Sequence, residues 1–186
     1  MDLAGEETEP GGFSFCSCLQ PMATGSAGAA MAEYSANAPQ TVNPGETVVF
    51  TTTSVPCNLG LVRHRDGTGS FLLSGLSGNQ NGCCRCGCWR NSVWYGVDFG
   101  ANIAVPTGGT AEAISIAITI DGATVPASTM EVTPATVEEY FNVARSLSVP
   151  IFKGCCETVA IRNTSNQPIL VQNASIRFTR SDDSSR

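Results

Sequence analysis

Along most of this chain, apolar and polar residues alternate one by one. In AEAISIAITIDG, Ile114, Ile116, Ile118 and Ile120 share one face, while Ala113, Ser115, Ala117 and Thr119 share the other. This two-residue period, rich in β-branched side chains, predicts a half-buried strand. Gly108-Gly109 bounds it upstream and the Asp121-Gly122 turn closes it. In FNVARSLSVPI, Phe141, Val143, Leu147, Val149 and Ile151 alternate with Asn142, Ala144, Ser146 and Ser148. Thr133-Pro134 could instead start a helix, and Val137, Tyr140, Phe141 and Ala144 have helical spacing. The alternation runs on to Ile151, however, and Pro150 would interrupt a long helix. A strand is predicted there, after at most one helical turn.

Further strands are predicted in ETVVFTTTSV, LGLVRHRDG, GSFLLSGL, SVWYGVDFG, TMEVTP, ETVAIRNTS and ILVQNASIRFTR, with Gly or Pro between them. Roughly eight to ten short strands at near-regular spacing signal a β-sandwich or closed barrel. The chain therefore reads as an all-β double-sheet domain of antiparallel strands over residues 39–180. Residues 1–38 read as an arm and linker: an acidic start, then FSFCSCLQP, then the small-residue run MATGSAGAAMAEYSANA. Only Met31 and Tyr34 are sizeable apolar residues in that run. Residues 181–186, SDDSSR, are expected to be a flexible tail.

Composition narrows the role. A chain of 186 residues can bury a full core without covalent help. Charged residues make up 14%, against the roughly quarter usual in soluble domains, which suits a surface or assembly protein. The net charge of -6 and the absence of any Lys/Arg cluster argue against a nucleic-acid partner. No apolar run approaches the roughly 20 residues of a membrane span. The start MDLAGEETEPGGF lacks the apolar core of a Sec signal peptide. A protein of this kind working outside a cell is expected to leave by lysis or another route.

A resemblance follows from two long runs. FGANIAVPTGGTAEAISIAITIDGATVPASTMEVTP and LSVPIFKGCCETVAIRNTSNQPILVQNASIRF are similar to the jelly-roll domains related to tumour necrosis factor and the complement globular head. The similarity is strongest to their bacterial and phage branch, which includes BclA-like C-terminal domains, and it covers about residues 40–180. It implies a jelly roll of eight to ten strands, commonly a homotrimer, serving as a knob on fibres, spore surfaces or virions. This chain differs in having no collagen-like stalk and many cysteines. A cysteine-bearing arm ahead of a jelly roll is also similar, in architecture only, to spore-appendage pilins, whose connector is disulfide-bonded to neighbouring subunits.

The nine cysteines are the chemistry to be explained: Cys16 and Cys18 on the arm, Cys57, then Cys83, Cys84, Cys86 and Cys88, and the adjacent pair Cys155 and Cys156. An odd count leaves at least one thiol for a metal, a free state or another chain. A zinc or iron–sulfur site would draw on Cys83, Cys86 and Cys88, but no second ligand pair stands at the usual spacing. Disulfides fit better. SGNQNGCCRCGCWRN reads as a loop, and Cys155-Cys156 follows a turn at Lys153-Gly154. Adjacent cysteines suit bonds to two different chains. Phe13, Phe15 and Leu19 form a short strand-like segment able to add to a sheet edge on a neighbour, if the arm is not simply a disordered leader.

No catalytic constellation appears. His64, the one histidine, shares a face with Val62 and Asp66, and the pattern reads as a charged surface or interface strand. Trp89, Trp94 and Tyr95 flank the cysteine loop as packing residues or, alternatively, as a recognition surface for sugars. Asn163 and Asn173 begin N-x-S sequons and read as ordinary turn and edge residues. The expectation is a non-enzymatic, cofactor-free structural subunit. Its partners would be copies of itself, as a homotrimer or helical filament, on an extracellular fibre, appendage or virion. The alternatives are a trimeric knob for a glycan or receptor, and a cysteine-cluster metal protein.

Overall fold

In the computed structural model, residues 31–57, 61–65, 68–75, 92–152 and 155–181 are described. Their strands are β1 (Met31–Ala36), β2 (Gln40–Val42), β3 (Thr52–Val55), β4 (Val62–Arg65), β5 (Ser70–Ser74) and β6 (Ser92–Ala104). There follow β7 (Ile114–Ile120), β8 (Ala123–Thr124), β9 (Met130–Val132), β10 (Phe141–Phe152), β11 (Cys156–Asn163) and β12 (Ile169–Ser181), with one short 3-10 turn at Pro126–Ser128. The first sheet has the order β10-β6-β12-β1-β3, and β2 also pairs with β12. The second has the order β4-β5-β11-β7-β8, and β9 also pairs with β7. All pairings are antiparallel.

From β5 onward the chain passes from one layer to the other and back. β5 lies in the second sheet, β6 in the first, β7 to β9 in the second, β10 in the first, β11 in the second and β12 in the first. That path is a jelly roll, and it places strands far apart in sequence side by side. The all-β jelly-roll expectation holds. Among the described residues there are twelve strands, not eight to ten, because β1 lies in the stretch read as linker and β2 and β8 have only three and two residues, too few to show an alternation.

The sandwich also starts earlier than the small-residue run suggests. β1 lies within the stretch read as linker, and Ala32, Tyr34 and Ala36 face the core from it. Two of those three are alanines, so the alternation carries little hydrophobic contrast. ETVVFTTTSV differs in the opposite sense: only Thr52–Val55 is a strand. Val48 and Phe50 are still buried. The Val48 amide donates to Ile161 of β11, whereas the Thr51 amide donates to Ser35 of β1, so this segment crosses between sheets. Midway, the Gln40 side chain bonds both the amide and the carbonyl of Val49, each at 2.9 Å. A crossing segment keeps its backbone satisfied only with such help.

Core packing follows the alternation. Ile114, Ile116 and Ile118 from β7 and Val143, Val149 and Ile151 from β10 are all buried, as predicted. No helix forms between Thr133 and Tyr140. Phe71 occupies the centre of an aromatic cluster, 4.8–5.3 Å from the rings of Tyr34, Phe50, His64 and Phe178. Asn163 is fully buried at the β11–β12 turn, where its amide donates to the carbonyls of Val42 and Gln167 and its oxygen accepts from the Ser165 amide. It is a structural corner piece, beyond the ordinary turn residue expected. Asn173 is exposed with φ 52° at a bulge in β12.

Phe71→Ala is expected to lower unfolding free energy by about 3–5 kcal/mol, because a buried ring leaves a cavity the sandwich cannot close. Urea denaturation monitored by circular dichroism measures it. A loss under about 1 kcal/mol would mean the cluster is not central to the core.

Candidate functional site

Strand register brings Cys57, Cys155 and Cys156 to the end of the sandwich at which β1 begins. Met31, the first residue after the arm, pairs with Thr179, which pairs with Gly96, which pairs with Ser148. Cys57 lies two residues past Val55, whose partner Glu33 lies two residues into β1 from Met31. In the other sheet Cys156 pairs with Ser74 at the end of β5. The Gly75 amide donates to the Cys155 carbonyl at 2.8 Å, and the Cys155 amide donates to Phe152 at 3.0 Å. Tyr95 ties the layers together here: its hydroxyl donates to the Ser74 carbonyl at 2.7 Å, with the Leu61 carbonyl at 3.3 Å. The guanidinium of buried Arg180 lies over the Tyr95 ring, 5.9 Å from its centroid.

Cys57, Cys155, Cys156, the outlet of the arm and both flanks of the 76–91 segment therefore share one end. Cys156 is half-buried and disulfide-bonded, and Cys155 is exposed. Cys57 packs against the core, and burial together with the charge of a Cys57 thiolate pushes the Tyr34 hydroxyl above its usual range. Cys16, Cys18, Cys83, Cys84, Cys86 and Cys88 lie outside the described residues, as do Phe13, Phe15, Leu19 and Trp89. Among the described residues, no three His, Cys, Asp or Glu side chains are placed to hold a metal.

Two aromatic assignments separate. Trp94 is 41% exposed on the outer face of the first sheet. Tyr95 is fully buried and does not belong to a recognition surface, because the next residue on a strand faces the other way. His64 is likewise not a surface residue. It is half-buried, stacked on Phe71 at 4.8 Å and 5.2 Å from Tyr34. Its inward position on edge strand β4 turns the imidazole towards the aromatic core. Asp66 lies outside the described residues.

The outer face of the first sheet holds a polar row that no sequence motif announces. Ser146, Asp98, Arg177 and Glu33 stand side by side on β10, β6, β12 and β1. The Ser146 hydroxyl donates to Asp98 Oδ1 at 2.7 Å, and Arg177 donates to Oδ2 through Nη2 at 3.0 Å and Nε at 3.2 Å. These bonds, the Ser146 hydroxyl foremost, hold the Asp98 carboxyl below the usual carboxylate range despite partial desolvation. Two rows along, past Gly100, the Asn142 amide donates to Asn102 Oδ1 at 3.1 Å. The four residues of the charged row are separated by tens of positions in sequence, so only pairing of strands could have found it.

A lowered carboxyl pKa stabilises the fold above the unfolded-state pKa, and that stabilisation is lost as pH falls through the folded value. Ser146→Ala is expected to move the Asp98 titration upward and to make acid unfolding begin at higher pH. Carboxyl chemical shifts followed by NMR measure the first effect, and an unmoved Asp98 resonance would contradict it.

No protein-family model matches the sequence, and no curated protein matches it. Solved structures do match. The globular domain of zebrafish complement 1qA is 10% identical, with 84% of this chain and 99% of that chain covered and a TM-score of 0.46. Pika GITRL is 9% identical over 84% of this chain and 98% of its own, with a TM-score of 0.42. The jelly roll itself rests on the strand order above.

Proposed function

We propose that this protein is a structural subunit that joins copies of itself, as a trimer or helical filament, through its arm and the sulfur-bearing end of its jelly roll. The observation that carries this reading is the convergence of the arm outlet with Cys57, Cys155, Cys156 and the flanks of the four-cysteine segment. A core of this size folds without covalent help, so sulfur concentrated at one end does something beyond stabilising the domain. A thiolate on an arm exchanges onto a disulfide or pairs with a thiol of another copy once the surroundings are oxidising. The setting is an extracellular appendage, fibre or virion surface, and the role is not enzymatic. Each bond contributes about 2–4 kcal/mol where its geometry is relaxed.

A second reading, a trimeric knob that recognises a glycan or receptor, draws support from the exposure of Trp94; of the two aromatic candidates among the described residues, Tyr95 is buried.

Native material run without reductant is expected to give a ladder of oligomers that collapses on reduction to the 19.4 kDa chain. A Cys16→Ser, Cys18→Ser double variant is expected to lose the ladder while keeping the unfolding midpoint of the domain. One monomer band of equal mobility in both gels removes the covalent part of the proposal. Negative-stain microscopy of the same material then tells filaments from discrete particles.

A further inference from the structure

We infer that the outer edge of β3 is the seat of the arm, to which residues 13–19 add as an extra strand of the first sheet. This contact deepens the proposed function, and it rests on that reading for the arm's part in joining copies. The two sheets end in four strands, β10, β3, β4 and β8. An exposed edge invites further pairing, and charge, proline or brevity blunts it. β10 carries Arg145 and Pro150, β4 carries Arg63 and Arg65, and β8 has only two residues. β3, with the sequence TTSV, has neither charge nor proline.

This strand is also uncovered on both faces. Thr51, Thr52, Thr53 and Ser54 are all exposed. Thr53 pairs with buried Tyr34 and so stands on the core-facing side of the sheet. It is exposed because β4, an edge of the second sheet, lies over β1: the His64 and Tyr34 rings are 5.2 Å apart. The first sheet therefore overhangs the second by one strand. A strand added outside β3 closes that open side if it brings apolar side chains to its inner face.

The arm has that chemistry and enters at the right place. In FSFCSCL, Phe13, Phe15 and Leu19 fall on one side of an extended chain, and Cys16 and Cys18 on the other. Residues 1–30 lead into Met31 of β1, the strand with which β3 pairs. The seat lies two strand spacings from β1, about 10 Å. Residues 20–30 reach about 36 Å when extended, so the tether is ample. A flexible tether this short holds the strand beside its own seat at an effective concentration on the order of millimolar. A lone subunit therefore seats its own arm. In an assembly a neighbour's arm makes the identical contact, the exchange by which domain-swapped copies join. With the phenylalanines turned inward, Cys16 and Cys18 lie on the outer face, open to thiols of another copy.

The rival occupant is β3 of a second copy. Two such strands meeting edge to edge bring only TTSV from each side, and the register shift between Glu33 and Tyr34 twists the edge. They bury little apolar surface, whereas the arm brings two phenylalanines and a leucine.

The test is amide hydrogen exchange on the full-length protein under reductant, so that no disulfide contributes. Those amides of residues 51–55 that β1 leaves unpaired are expected to exchange about tenfold or more slowly than in a Ser14→Pro, Ser17→Pro double variant. Prolines at these two positions take a donor from each edge of the arm strand. A Phe13→Ser, Phe15→Ser variant is expected to lose the protection as well. Unchanged exchange in β6 and β12 verifies that each variant keeps the fold. Rapid exchange at this edge in the unaltered protein, or protection that both variants keep, overturns the seat. Protection that both variants keep and that fades on dilution identifies pairing between two β3 strands and likewise overturns it. Mixing isotope-labelled with unlabelled copies separates the seat from the joining role. Nuclear Overhauser contacts between the Phe15 ring and Thr53 of different copies support both; contacts confined to one copy keep the seat and remove the arm from joining. An unprotected edge beside a reductant-sensitive ladder of oligomers removes the seat and leaves joining standing.

Discussion

The ladder that β12 makes with β6 on one side and β1 on the other holds the molecule together. Thirteen residues of the last strand sit between the first described strand and the long central one, so the first sheet is complete only when distant parts of the chain have met. Closing such long loops costs conformational entropy before any pairing rewards it. The bulge at Asn173 belongs to the same constraint. Val171 faces the core and Gln172 faces out; the extra exposed residue then lets Ala174, Ile176 and Phe178 return to the core. Were Asn173 to take a regular place in the ladder instead, the rest of β12 would present its polar face inward.

From this ladder the two surfaces of the molecule follow. Its inner side is an apolar core in which Tyr95 links the layers through the Ser74 carbonyl and buried Arg180 lies over the Tyr95 ring. Its outer side carries short residues, one charged row and the exposed apolar side chains of Met31, Trp94 and Phe152. The described cysteines, Cys57, Cys155 and Cys156, lie at the end, where strands begin and stop.

Much of the fold was legible in the alternation. The isoleucines of β7 and the Phe141–Ile151 pattern named their core residues directly, and Pro150 ruled out the helical alternative. β1 escaped because two of its three inward residues are alanines, and Val48 and Phe50 misled because burial without a ladder leaves the same apolar signature as a strand. Of the site, Trp94 was visible and its orientation was not. Tyr95, next to it, has nearly the same chemistry and points into the core.

Local chemistry by itself determined that this chain makes strands, where most of them run, and that sulfur is concentrated in a few segments. Those are properties of neighbouring residues, set by side-chain shape and by a period of two. Which strands become neighbours was decided only by the tertiary structure. Ser146, Asp98, Arg177 and Glu33 form a row, and Cys57 comes near the outlet of the arm, because antiparallel register adds positions from four strands into one line. No spacing along a single strand encodes that sum.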